Sequence, residues 1–109
     1  MINGIYEEIR EKNDASLLIK YLKEGKLKSS EKDGKGMCPL IFAVDCSFDL
    51  EIIKELVELG CDPYSVDDNG DTLLHYAVSL ENEEVEKWLL NEYKLKKDTK
   101  NNDGLTAYD

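Results

Sequence analysis

Residues 67–78 read "DDNGDTLLHYAV", and two other segments of the chain repeat this pattern. The segment "DGKGMCPLIFAV" covers residues 33–44, and "NNDGLTAYD" covers residues 101–109. Gly36, Gly70 and Gly104 are spaced 34 residues apart, and each follows an Asp or Asn by three residues. A fixed period of this length predicts repeated units that bury their apolar faces only by stacking on one another.

Helical patterns fill the intervals between these motifs. Apolar residues recur with helical spacing in "DASLLIKYLKEG" (residues 14–25), "DLEIIKELVELG" (residues 49–60) and "NEEVEKWLLNEY" (residues 82–93). Asp14, Asp49 and Asn82 are expected to cap these helices, and Gly60 lies where a helix commonly ends in a left-handed residue. Two shorter partner helices are expected at residues 39–46 and 73–80, with Pro39 at a first helical position.

The repeated unit resembles the ankyrin repeat, whose usual pattern is D-x-x-G-x-T-P-L-H-x-A, followed by a longer helix and G-A-D. The matching residues are Asp67, Gly70, Thr72, Leu74, His75 and Ala77 in one unit, and Asp33, Gly36, Pro39, Leu40 and Ala43 in the unit before it. The resemblance implies an all-α solenoid of stacked helix-turn-helix units with protruding loop fingers. It implies a single domain over residues 1–109.

The same resemblance divides the domain into units. Residues 1–32 correspond to a degenerate N-terminal capping repeat, residues 33–66 and 67–100 to two repeats, and residues 101–109 to the start of a further or truncated repeat. Thr72 and His75 are expected to fix the turn of their unit by hydrogen bonds. In the preceding unit Cys38 and Ile41 replace these two residues, so the start of its short helix is expected to rely more on packing.

Composition and charge restrict the function. The formal net charge is −10, and an acidic chain repels phosphate groups, so neither nucleic acid nor an anionic membrane surface is an expected partner. Cys38, Cys46 and Cys61 contain no C-x-x-C pair and are expected to be small buried residues in a reducing compartment. No apolar run approaches the roughly 18 residues of a membrane span. A cytoplasmic monomer is expected, with the nucleus as a second location.

The spacing of residues in the repeated segments does not match that of known catalytic or metal-binding motifs. An EF-hand alignment on Gly70 puts Ser65 and Tyr76 where the loop needs its first Asp and its bidentate Glu. His75 is the only histidine of the chain and lies in no nucleophile motif. The "DGKG" segment lacks the Lys-Ser/Thr ending of a phosphate-binding loop. The sequence therefore predicts no catalytic residue, no metal and no cofactor.

The remaining expectation is a non-catalytic protein-interaction module. In ankyrin stacks, partners usually contact the loop fingers and the concave face of the first helices. Carried over by the resemblance, the partner-binding residues are Lys35, Met37, Phe42, Asp45, Cys46, Asp68, Asn69, Asp71, Tyr76, Ser79 and Leu80. Phe42 and Tyr76 occupy equivalent positions and are expected to be exposed aromatic anchors, while the acidic fingers favour a partner with a basic surface.

Two alternatives stay open at the level of sequence. The first is that the domain is an appendage of a larger acyl-CoA-binding protein, because residues 3–22 and 70–90 are similar to the short ankyrin tail of some such proteins. Its lipid site would then lie outside this chain. The second is a small chaperone or regulatory subunit built only of repeats.

Overall fold

The computed structural model describes residues 2–93 and 95–109, and only the backbone of residues 2 and 3. This part of the chain forms six α-helices and no β-strand, which confirms the predicted all-α class. The helices are α1 (Ile2–Lys12), α2 (Ala15–Lys23), α3 (Pro39–Asp45), α4 (Leu50–Glu58), α5 (Leu73–Ser79) and α6 (Glu83–Glu92).

The helices form three pairs that stack in chain order. Within the pairs, α1 packs against α2, α3 against α4, and α5 against α6. Between the pairs, α3 packs against α5, and α2 packs against α4. One layer of the stack therefore contains the inner helices α1, α3 and α5, and the other contains the outer helices α2, α4 and α6. The molecule measures 36 × 26 × 22 Å, with one elongated axis.

The two short inner helices begin by different means, as the sequence predicted. Thr72 caps α5 and forms a capping box with His75, in which each side chain bonds to the other residue's backbone N–H. Cys38 holds the equivalent position of α3 and makes no capping hydrogen bond with its side chain. Residues 39–44 of α3 are instead all buried, so apolar packing compensates for the missing polar cap.

The outer helices confirm two of the three predicted N-caps. Asp14 accepts a hydrogen bond from the backbone N–H of Ser16 at 3.1 Å, and Asn82 accepts one from Val85 at 3.2 Å. Asp49 stands at the N-cap of α4, but its side chain makes no cap bond, so that prediction is wrong. Gly60 follows the end of α4 with φ of +106°, the left-handed conformation expected there.

The centre of the core is an aromatic cluster around Phe42. This side chain is completely buried, with its ring centroid 4.8 Å from that of Tyr6 and 6.5 Å from that of Phe48. The guanidinium carbon of Arg10 lies 4.9 Å from the same ring centroid. The expectation that Phe42 is an exposed partner-binding anchor is therefore wrong, because the neighbouring pairs of helices cover α3. Met37 is also buried, at 7% exposure, and is no surface contact.

Candidate protein-binding surface

Three loop fingers project from the stack: the first (residues 33–38), the second (residues 67–72) and the third (residues 101–106). Each begins with Asp33, Asp67 or Asn101, whose side-chain oxygen accepts hydrogen bonds from the backbone N–H groups two and four residues later, at 2.8 to 3.0 Å. A side chain that bonds its own backbone in this way stabilises a tight turn. The Asp or Asn three residues before each glycine therefore builds the finger.

The second and third fingers are joined to each other by polar contacts. The backbone N–H of Asn102 donates to the carbonyl of Asn69 at 2.9 Å, and its side-chain amide donates to the carbonyl of Asp68 at 3.1 Å. The amide of Asn101 donates to the Asp71 carboxylate at 2.7 Å. The sequence left these second-finger residues without a structural role, and that interpretation is wrong, because they hold the next finger in place.

Tyr76 also has a structural role that the sequence did not reveal. Its ring is half-buried, and its hydroxyl donates a hydrogen bond to the carboxylate of Asp67, which is only 5% exposed. Burial raises the pKa of Tyr76 well above its ordinary value, and the hydrogen bond to Asp67 raises it further. The hydroxyl therefore stays protonated and satisfies the buried carboxylate. Tyr76 is a support for the second finger as well as a partly exposed surface residue.

A groove of about 340 Å³ lies beside these residues and is here called the finger groove. Its lining comprises Asp67, Asn69, Asp71, His75, Tyr76, Ser79, Asn101, Leu105, Thr106, Ala107 and Asp109. Three of these residues are aspartates, and no lysine or arginine is among them. The groove thus combines a negative potential with exposed hydrogen-bonding groups, which suits the positively charged side chains of a partner.

The other residues predicted to bind a partner differ in their exposure to solvent. Lys35, Asp68, Ser79 and Leu80 are exposed, and the Asp68 carboxylate lies 3.8 Å from the ammonium group of Lys32. Asp45 is half-buried and forms a salt bridge with Arg10 at 3.3 Å. Cys46 is half-buried next to it. The structure brings Asn69, Asp71, Tyr76 and Ser79 together in the finger groove and leaves Lys35 and Leu80 outside its lining.

Sequence reasoning missed several residues of this surface. Asp67 and Asn101 were visible as members of the repeated motif, but the motif did not show that they face the same groove. Asp109 and Leu105 had no signal, since residues 101–109 match too little of the pattern. Arg10 was not among the predicted residues, although its side chain reaches across to Asp45 and Phe42.

The described residues contain no group of three or more Cys, His, Asp or Glu side chains arranged to hold a metal ion. The three thiols are free, and two of them have perturbed acidities. Burial raises the pKa of Cys61 to about 12 and also raises the pKa of Cys46. A thiol that stays protonated at neutral pH is a poor nucleophile. Cys38 and Cys61 are buried as expected, whereas Cys46 is only half-buried.

His75 links its own unit to the third finger. Its Nδ1 lies 3.1 Å from the backbone nitrogen of Thr72 and 2.8 Å from the Thr72 hydroxyl, and its Nε2 lies 2.9 Å from the carbonyl oxygen of Leu105. A neutral imidazole with its proton on Nε2 satisfies all of these contacts, since Nδ1 then accepts and Nε2 donates. Both ring nitrogens are used within the fold.

We expect His75→Ala to lower the free energy of unfolding by about 1–2 kcal/mol, because it removes half of a capping box and a contact to the next unit. The melting temperature should fall by several degrees, as measured by circular dichroism. Ser79→Ala is the matched control, since Ser79 lies on the same helix, is exposed and should leave the melting temperature unchanged. An equal melting temperature for the two variants would contradict the structural role of His75.

No helix in the described part of the chain is long and apolar enough to cross a membrane. Stacked helix pairs with regularly spaced loop fingers define a helical repeat protein. A family model for ankyrin repeats, in three copies, matches residues 9–103. The chain belongs to the ankyrin-repeat family. A search of curated proteins found no match.

Proposed function

We propose that this domain is a non-catalytic interaction module that binds a protein segment of basic character through the finger groove and the exposed finger residues beside it. Ankyrin repeats are generally protein-protein interaction modules. The observation that carries the specific proposal is the composition of the finger groove, with three aspartates and no basic residue in its lining. No observation on the described residues favours the lipid-binding or chaperone alternatives.

The charge of the chain supports the same proposal. A net charge of −10 attracts basic segments over distances comparable to the screening length and so accelerates their association. The same charge repels the phosphate groups of nucleic acid, so we propose a protein as the partner. Because each aspartate of the groove already accepts hydrogen bonds from the fingers, the carboxylates are held in place before a partner arrives. Such preorganisation reduces the entropy lost on binding.

The proposal is tested by selecting a displayed library of random peptides on the immobilised domain. The variant Asp71→Asn/Asp109→Asn removes two charges while its amide oxygens still accept the hydrogen bonds from Asn101 and the Thr106 N–H. We expect wild type to enrich peptides of net positive charge, and the variant to bind them at least about tenfold more weakly at low salt.

The matched control is Glu7→Gln/Glu11→Gln, which removes the same charge from exposed positions on α1. It should retain the affinity of wild type. Enrichment without any bias in peptide charge would refute the proposal. So would an equal loss of affinity in the two double variants, because the effect would then follow net charge rather than the finger groove.

A further inference from the structure

Three aromatic side chains, Tyr64, Trp88 and Tyr93, meet beside the outer helices α4 and α6. The ring centroids of Trp88 and Tyr93 are 5.0 Å apart at 86°, and those of Tyr64 and Tyr93 are 6.2 Å apart, also at 86°. The Tyr64 hydroxyl donates to the backbone carbonyl of Tyr93 at 2.9 Å, which fixes one ring against the other. Tyr64 is nevertheless 58% exposed, and Trp88 and Tyr93 are half-buried.

A groove of about 310 Å³ adjoins this cluster between α4 and α6, here called the outer groove. Its lining residues are Lys54, Val57, Glu58, Trp88, Glu92 and Tyr93. Burial raises the pKa of Tyr93, and the negative charges of Glu92 and Glu58 raise it further. Aromatic faces and carboxylates are thus presented side by side along one groove.

Two hydrogen-bond donors of the outer groove remain available. The indole N–H of Trp88 and the hydroxyl of Tyr93 have no hydrogen-bond partner within the described part of the chain. Every side-chain nitrogen or oxygen that is buried in the described part of the chain has a hydrogen-bond partner. Because these two atoms have none, both are accessible to solvent. A Trp side chain with an apolar face and a free N–H is a common anchor for partner proteins, because it contributes both contact area and a directed hydrogen bond.

We propose that the outer groove binds an arginine side chain carried by an extended segment of a partner protein. A guanidinium stacks on aromatic faces and also forms hydrogen bonds with carboxylates, so it satisfies both components of the groove at once. Lys54 is the one basic residue in the lining, and its positive charge repels a second cation in the groove. This surface lies on α4 and α6, so it is separate from the finger groove and does not depend on the function proposed there.

The chain provides its own reporter for this test, because Trp88 is the only tryptophan. Its fluorescence is titrated with a short peptide of alternating glycine and arginine, and with the same peptide carrying lysine or glutamate in place of arginine. We expect a saturable change with the arginine peptide, weaker binding of the lysine peptide and no response to the glutamate peptide. A missing response to the arginine peptide, or equal responses to all three, would overturn the proposal.

Two sets of variants should change the Kd of the arginine peptide in opposite directions. Glu58→Gln/Glu92→Gln should raise the Kd of the arginine peptide by about fivefold, because two carboxylates of the groove are lost. Lys54→Gln should lower the Kd by about twofold, since it removes the repelling positive charge. The control variant Glu7→Gln/Glu11→Gln, which removes the same charge from exposed positions on α1, should leave the Kd measured through Trp88 within about 1.5-fold of wild type. Equal effects of all charge-neutralising variants would assign the binding to net charge and reject the site.

Discussion

Phe42→Ala should lower the free energy of unfolding by about 3–5 kcal/mol, the range found when a large buried aromatic residue is truncated in a core. Phe42 is completely buried between Tyr6 and Phe48, so the substitution leaves a cavity that the neighbouring helix pairs cannot close. A small domain has only about 5–15 kcal/mol of stability, so the melting temperature should fall by about 15 °C or more. Urea denaturation measures the free energy of unfolding and thermal denaturation measures the melting temperature, both followed by far-UV circular dichroism.

Leu105→Ala is the control, since it also truncates an apolar side chain, but one that is 48% exposed. It should change the free energy of unfolding by less than about 1 kcal/mol. If Phe42 were an exposed partner anchor, as its sequence position indicates, Phe42→Ala and Leu105→Ala would lower the free energy of unfolding by similar small amounts. A Phe42→Ala protein with the melting temperature of wild type would therefore restore that earlier interpretation and contradict the observed burial.

The period of the sequence predicted the fold because it depends on local chemistry. Each glycine of a finger follows an Asp or Asn that bonds its own turn, and each outer helix shows an apolar face with helical spacing. These are interactions within about ten residues, and a single repeat contains all of them. Stacking then follows, since one unit alone has no partner for its apolar face.

Phe42 and Tyr76 show where the same reasoning failed. They occupy equivalent positions in successive units, and the repeat pattern assigned them equal exposure. Phe42 lies in the middle pair, where the first unit supplies Tyr6 and Arg10 to cover it. Tyr76 lies in the last complete pair and stays half-buried. Equivalent positions therefore differ in burial according to the side chains that the preceding unit places over them.

The contacts between fingers were also not predicted, although the 34-residue period identifies which residues of successive fingers are equivalent. Asn102 follows Asp68 by 34 residues, one full period, and its amide donates to the Asp68 carbonyl. The motif explains what each residue does for its own turn but not which atoms of the next turn it meets. The outer groove was beyond prediction for a related reason, since Glu58 and Trp88 come from different units and line one groove only because of how the units stack.

Gly70→Ala tests these finger contacts and should lower the free energy of unfolding by about 2–4 kcal/mol. Part of the loss is the strain of φ at +78°, which costs an alanine about 1–2 kcal/mol. The rest is steric, because an added Cβ would lie 2.6 Å from Oδ1 of Asn102 and 3.1 Å from its backbone nitrogen. The backbone of the third finger must then move away, which weakens the bonds that Asn102 makes to Asn69 and Asp68.

Two other glycines separate the steric cost from the backbone strain. Gly25 has the same φ of +78° with nothing within 4 Å of an added Cβ, so Gly25→Ala should show the strain alone. At Gly36 an added Cβ would lie 2.3 Å from the Asp68 side chain, but that side chain is exposed and is able to swing aside. We therefore expect the loss of stability to decrease from Gly70→Ala to Gly36→Ala to Gly25→Ala in urea denaturation. Equal losses at Gly70 and Gly25 would show that the second and third fingers separate at no cost, and that the polar contacts between them contribute nothing to the stack.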